Sequence, residues 1–105
     1  MPESDQLGSL DRPEPGRVAA VLVTARRCHF CRDAWELLVD LGSRYPLTVR
    51  TISLESDEGA AIAARLRVPF PPVLLIDGEY FGHGRISRKK LTKTLESAIR
   101  VGTSR

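Results

Sequence analysis

Two side chains in this sequence can carry covalent chemistry on sulfur, and they stand together: Cys28 and Cys31, the only cysteines, in the stretch Cys28-His29-Phe30-Cys31. The stretch directly follows the apolar run Val18-Ala19-Ala20-Val21-Leu22-Val23 and precedes a helix-like segment, Arg32 to Leu41. A strand that ends in a short loop and then a helix places the first cysteine at a helix N-terminus. Unpaired N–H groups and the macrodipole favour an anion there. A thiol at such a position loses its proton more readily, and the thiolate is the species that reacts. Cys31, three residues on, lies one helical turn below and can attack a mixed disulfide. In a βαβ context this spacing reads as a redox motif.

Other uses of the same residues weigh less. A buried pair of small apolar side chains, or an inert disulfide, fits poorly with a helix N-terminus flanked by Arg26, Arg27 and Arg32. A zinc site would need His29 and His83 to complete two cysteines and two histidines. His29 lies inside the cysteine loop and would point away from a metal held by both sulfurs, so no metal is expected. His29 is either a cationic neighbour of the Cys28 thiolate or an exposed loop histidine, and the residues leave both open. His83 is expected in a loop, Trp35 as a packing residue one turn past Cys31, and Phe30 as an exposed apolar contact beside the nucleophile. Arg85 either binds a substrate carboxylate or is solvated.

The elements that must position the cysteines follow from periodicity and punctuation. Residues 1–16 show no hydrophobic period and read as a mobile polar tail. The domain is expected over 17–101, with 102–105 as a C-terminal tail. The first strand, Arg17–Thr24, is apolar without a break and should be buried on both faces. In the helix after it, Ala34, Leu37, Leu38 and Leu41 form the inner stripe and Gly42 supplies the stop. A half-buried strand follows at Leu47–Leu54, with Leu47, Val49 and Thr51 alternating with Thr48, Arg50 and Ile52. Ser56 caps a short helix reaching Leu66. The prolines of Val68-Pro69-Phe70-Pro71-Pro72 exclude helix. Val73–Ile76 is a buried strand, Asp77-Gly78 a hairpin turn, and Glu79–Phe81 a short edge strand. Gly82-His83-Gly84 is expected as a loop. Ser87 caps a last helix that buries Leu91, Leu95 and Ala98. The order is β-α-β-α-β-β-α, an α/β chain with a four-stranded mixed sheet flanked by helices.

Length and charge bound the function. The 105 residues allow one domain with a modest core. No stretch resembles a signal peptide or a membrane span, so the expected compartment is a reducing cytosol, where paired cysteines are catalytic more often than structural. Residues 1–16 carry a net −3 against +3 for the whole chain, so the remainder carries about +6. Arg85, Arg88, Lys89, Lys90 and Lys93 crowd the last helix as a solvated face. No aromatics interleave with these charges, which argues against a nucleic-acid partner.

The element order, with C-x-x-C after the first strand and a proline before the third, resembles the thioredoxin superfamily over about residues 17–100. Thr24-Ala25-Arg26-Arg27-Cys28-His29-Phe30-Cys31 resembles the glutaredoxin active-site loop. Pro72-Val73-Leu74-Leu75-Ile76-Asp77-Gly78 resembles the superfamily's cis-proline strand and tight turn, which makes Pro72 the expected cis-proline, with Pro71 as the fallback. Thioredoxins proper have tryptophan where Arg27 stands and a buried acid where Leu22 stands, so the likeness lies on the glutaredoxin side. Glutaredoxins place a basic residue where Ala25 stands, a role that falls here to Arg26 or Arg27. Their double glycine before the last helix is replaced by Gly82-His83-Gly84-Arg85.

The resemblance implies a glutaredoxin-like thiol–disulfide oxidoreductase, with Cys28 as nucleophile and Cys31 as resolving thiol. Arg26, Arg27, His29, Phe30, Pro71, Pro72 and Arg85 are the candidate substrate-binding residues. No cofactor is expected to be bound. A low-molecular-weight thiol such as glutathione, or a flavoprotein reductase, would return the pair to the dithiol. The expected partners are protein or small-molecule disulfides, with no nucleic acid and no membrane, and the chain is expected to be a monomer. A different class stays open: a redox-sensing domain whose Cys28–Cys31 disulfide switches a binding face made by Phe30, Pro71 and Phe81.

Overall fold

β1 (Val18–Thr24) forms the centre of the molecule because both of its faces are apolar and both are covered. The structure is a computed structural model that describes residues 16–103 apart from residue 69; expectations for residues 1–15 and 104–105 lie outside it. After β1 come α1 (His29–Gly42), β2 (Leu47–Ser53), α2 (Asp57–Leu66), β3 (Val73–Ile76), β4 (Glu79–His83) and α3 (Arg88–Thr103). The sheet order is β2-β1-β3-β4. β1 pairs in parallel with β2, while β3 is antiparallel to both β1 and β4. This is the expected order of elements and the expected mixed sheet.

Alternation along β1 divides the core in two. Val18, Ala20 and Leu22 face Ala34, Leu38 and Leu41 of α1 and Leu91 and Leu95 of α3. Val21 and Val23 face the other way, with Ile52, Val73 and Leu75, against Ile62 and Leu66 of α2. Fully burying one such aliphatic side chain stabilises by about 1.5–3 kcal/mol, so each helix is held mainly by its inner stripe. Ala98 packs at the margin of the first cluster.

β2 departs from the simple half-buried strand. Leu47 and Val49 join the first core, Ile52 is buried in the second, and Thr51 is exposed. The strand lies at a sheet edge with helices over both faces, so each face takes apolar residues only where a helix reaches it. Arg50 shares the α2 face and reaches Glu58 at 2.8 Å.

Local signals set the ends of the elements. The Ser56 hydroxyl accepts from Gly59 N at 3.0 Å, and the Ser87 hydroxyl from Lys90 N at 3.2 Å, capping α2 and α3. Asp77 and Gly78 both adopt positive φ, 52° and 83°, as a tight hairpin turn requires. Asp77 also joins the hairpin to β1: its Oδ1 accepts from Ala19 N at 2.9 Å and its own N–H donates to Ala19 O.

β4 is longer than the sequence suggests. Gly82 and His83 pair with Leu74 and Val73, after a register shift between Leu74 and Leu75, so His83 belongs to a strand and not to a loop. Cross-strand hydrogen bonds outweigh the weak strand preference of Gly82. α3 continues through Thr103.

Candidate functional site

The cysteines sit where three strands deliver the chain to one end of the sheet. β1 and β2 run in parallel and both end there. The antiparallel register of β3 sets Val73 opposite Val23, which brings Pro72 to the same end. β2 and β3 flank β1, so the loop after β1 emerges with β2 on one side and the proline segment on the other.

Cys28 is the N-cap of α1, extended at φ −105° and ψ 107°. Its Sγ accepts a hydrogen bond from Cys31 N at 3.1 Å, and its carbonyl accepts from Arg32 N at 3.2 Å. Sulfur thus occupies the place that serine or aspartate oxygen takes at other helix starts, receiving an otherwise unpaired N–H. No acidic residue lies in the first turn of α1 to offset the helix's positive end. Cys28 and Cys31 are joined in a disulfide, with Cα atoms 5.1 Å apart. Cys28 is partly exposed, whereas Cys31 is 5% exposed and packs inside the first turn. An accessible sulfur at the cap and a covered one behind it suit an attacking and a resolving thiol.

The backbone leading into Cys28 is unusual. Arg27 has φ 53°, a left-handed conformation that costs a non-glycine residue roughly 1–2 kcal/mol. A groove of about 490 Å³ opens beside it, on the β2 side. Thr24, Ala25, Arg27 and His29 line it, together with both cysteines. Arg32 and Trp35 of α1 and Thr51 of β2 complete it.

Trp35 therefore does not pack in the core: 43% exposed, it forms a wall of the groove. It lies on the flank of α1 beyond the buried Ala34-Leu38-Leu41 stripe and is left half open. Nothing in the spacing of α1 singles out Thr51, which arrives from another strand. The i,i+4 relation of His29 to Asp33 was legible in the sequence: His29 Nε2 lies 3.3 Å from Asp33 Oδ2, and both are exposed.

The other candidates fall into two groups. Arg26 and Phe30 are exposed near the cysteines but outside the groove's lining. Pro71, Pro72 and Arg85 belong to the β3 side. The Pro71–Pro72 peptide bond is cis, Pro72 is fully buried, and its carbonyl accepts from Gly84 N at 2.8 Å. Arg85 follows as an exposed side chain.

Phe70 is 48% exposed and meets His83 edge-on with ring centroids 5.2 Å apart. His83 Nδ1 lies 2.6 Å from Tyr80 Oη. His83 is thus engaged with rings of its own neighbourhood, and among the described residues Cys28, Cys31, His29 and His83 do not converge as a metal-ligand cluster. Phe81 is not part of an exposed face with Phe30 and Pro71, because it packs against the α1–α3 core.

Neither a family model nor a curated protein sequence matches the chain. Solved structures do match, and those of similar shape include several thioredoxins. A thioredoxin variant from Halobacterium salinarum is 23% identical with a TM-score of 0.66, over 94% of this chain and 85% of that one. The thioredoxin pre-protein of Schistosoma mansoni is 19% identical with a TM-score of 0.62, over 88% of this chain and 89% of that one. Mitochondrial thioredoxin 3 of Saccharomyces cerevisiae is also 19% identical with a TM-score of 0.62, over 90% and 89%. Among the described residues no helix is long and apolar enough to cross a membrane. With a four-stranded sheet between helices and a Cys28–Cys31 disulfide at the start of α1, the chain has the thioredoxin fold.

Proposed function

We propose that this protein is a thiol–disulfide oxidoreductase in which Cys28 attacks and Cys31 resolves. The observation that carries the reading is the Cys31 N–H···Sγ Cys28 hydrogen bond at the open end of α1, with Cys31 covered behind it. In the reduced protein the same N–H and the helix dipole stabilise a Cys28 thiolate. That thiolate attacks a substrate disulfide, forming a mixed disulfide and releasing one thiolate. Cys31 then loses its proton and attacks Cys28 Sγ, which frees the second substrate thiolate and closes the protein disulfide. No charged or polar side chain is buried among the described residues, so the Cys31 proton passes to solvent or to a departing thiolate.

Within that class the reading is glutaredoxin-like. Leu22, fully buried in β1, stands where thioredoxins proper bury an acid, and Arg27 stands where they have tryptophan. A low-molecular-weight thiol is the proposed reductant. Arg26, Arg27, His29 and Phe30 would meet substrate around the nucleophile. Pro71, Pro72 and Arg85 would meet it from the β3 side, where Pro71 can offer only its carbonyl because proline has no N–H.

Two variants test the assignment. Cys31→Ser should react with a small disulfide and stop as a stable adduct visible by intact mass, whereas Cys28→Ser should stay unmodified. Adduct on Cys28→Ser with none on Cys31→Ser would reverse the roles. Adduct on neither would remove the proposed activity.

A further inference from the structure

A bulge in β4 gathers three rings beside the proline segment. Tyr80 pairs with Leu75 and Gly82 with Leu74, so Phe81 is the extra residue of the strand. Residues three apart in a regular strand face opposite ways. The extra residue turns Tyr80 and His83 to one face, the face of their cross-strand partners Leu75 and Val73. There Tyr80 Oη and His83 Nδ1 share a hydrogen bond at 2.6 Å, and the two rings stack with centroids 6.3 Å apart. His83 in turn meets Phe70 edge to face, at an interplanar angle of 85°.

The Phe70 ring also lies against the Gly84 backbone, where a Cβ would stand 3.5 Å from its Cε2 and Cζ. Gly84 N donates to Pro72 O, which ties the same stretch of β4 to the proline segment. Phe70 thus stands two residues before Pro72, at the end of the sheet where β1 leads into the cysteine loop. It is held by His83 and Gly84, yet 48% of it stays open to solvent. An open ring already fixed in one orientation gives up little freedom when something packs on it.

We propose that His83 is a positioning residue: held by Tyr80, it fixes the Phe70 ring at the rim of the site, and that ring sorts protein disulfides by the side chain flanking the attacked cysteine. The proposal rests on the exchange reading above and deepens its substrate side. Because Pro71 has no N–H, an extended substrate forfeits one backbone hydrogen bond there, and side-chain contact carries more of its recognition. A fixed apolar ring favours an apolar neighbour of the attacked sulfur over a polar one. The exchange itself is unchanged. Cys28 thiolate attacks one substrate sulfur, that disulfide breaks and one thiolate leaves; Cys31, giving up its proton, then expels the second. The protein dithiol loses two electrons and the substrate disulfide gains them.

Two peptide disulfides, identical except for leucine or serine next to the cysteine, read this out. Reduced protein is reacted with each, and the ratio of rate constants, leucine over serine, is compared across variants. A change in the Cys28 thiolate fraction or in the folded fraction alters both rates alike and cancels in the ratio. Phe70→Ala and His83→Asn should each lower the ratio about two- to tenfold, the scale of one aromatic contact. His83→Phe keeps a ring against Phe70 and should retain most of the ratio. Tyr80→Phe loses only the hydrogen bond and should fall in between. Val39→Ser removes an exposed apolar side chain from α1 and should leave the ratio unchanged. An unmoved ratio in Phe70→Ala or in His83→Asn overturns the proposal. So does an equal fall in Val39→Ser, since the preference would then belong to no one surface.

A second measurement needs no exchange chemistry. The leucine peptide with serine in place of its cysteine, added to oxidised protein, should shift the ring-proton resonances of Phe70 and His83. The matched polar peptide should not. No shift with the leucine peptide overturns the proposal however well Cys28 reacts. Shifts in a protein whose Cys31→Ser variant forms no adduct would keep the ring surface and discard the proposed exchange.

Discussion

Replacing Gly59 by alanine should destabilise the whole domain, although helix propensity alone predicts the opposite. Gly59 lies in the first turn of α2, where its N–H donates to the Ser56 hydroxyl. A Cβ built there would stand 2.8 Å from the Ser53 carbonyl carbon and 3.0 Å from Leu54 Cα, and would also collide with the Ser53 carbonyl oxygen. Ordinary contact begins near 3.4 Å, so α2 or the end of β2 must move by at least about 0.6 Å. Neither side yields easily, because the obstructing atoms are backbone and Leu54 N is bonded to Thr24 O at 2.7 Å.

Alanine gains up to about 1 kcal/mol over glycine in a helix, while forcing an extra carbon into a packed site costs about 1–3 kcal/mol and occasionally more. With backbone as the obstacle the upper end applies, leaving a net loss of about 2 kcal/mol. For a domain of this size that lowers Tm by roughly 8–16 °C. Urea titration and thermal melting followed by circular dichroism measure it, with Gly42→Ala as the control, since a Cβ there meets only Leu47 Cδ2 at 4.0 Å. A Gly59→Ala protein as stable as the wild type would refute the argument. Because Thr24 rims the groove, the damage should also reach the site.

Three smaller effects follow from the same geometry. Ser56→Ala removes the α2 cap and should cost about 1 kcal/mol in urea titration, with the midpoint shifted and the slope unchanged. The Cys28 thiol should titrate below the ordinary thiol value, because Cys31 N–H and the start of α1 favour its thiolate. Thiolate absorbance against pH measures this, and added salt should remove only the part owed to the exposed arginines. Asp40 is held below its ordinary value of 3.8, chiefly by the hydrogen bond from Arg88 and also by that residue's charge. Its contribution to stability is therefore present above that value and is lost as pH falls through the lowered one. The gap between wild type and Asp40→Asn seen near pH 6 should narrow towards about pH 3 in urea midpoints.

Much of the scaffold was legible because its signals are local. Ser56 with its acidic first turn, the Asp77-Gly78 turn and the unbroken β1 run each act within a few residues, and the structure places these elements as read. Where neighbours in space decide, local residue types point the wrong way. Gly82 and His83 look like loop residues in isolation, yet Leu74 and Val73 draw them into β4. Phe81 looks available for docking, yet α1 and α3 pack against its cluster. Trp35 reads as a packing residue, yet 43% of it stays exposed along the groove it shares with Thr51.

The sequence by itself determined the cysteine pair, the helix start at its first member and the order of elements that carries it. Each of these follows from residue type, spacing and backbone hydrogen bonding over short range. Tertiary structure alone decided which surface meets those sulfurs. Thr51 arrives from a strand twenty residues past Cys31, and Trp35 is left open by the sheet order. Periodicity tells which face of an element is apolar, but which neighbour covers that face, and what it leaves uncovered beside it, is settled only when distant elements pack.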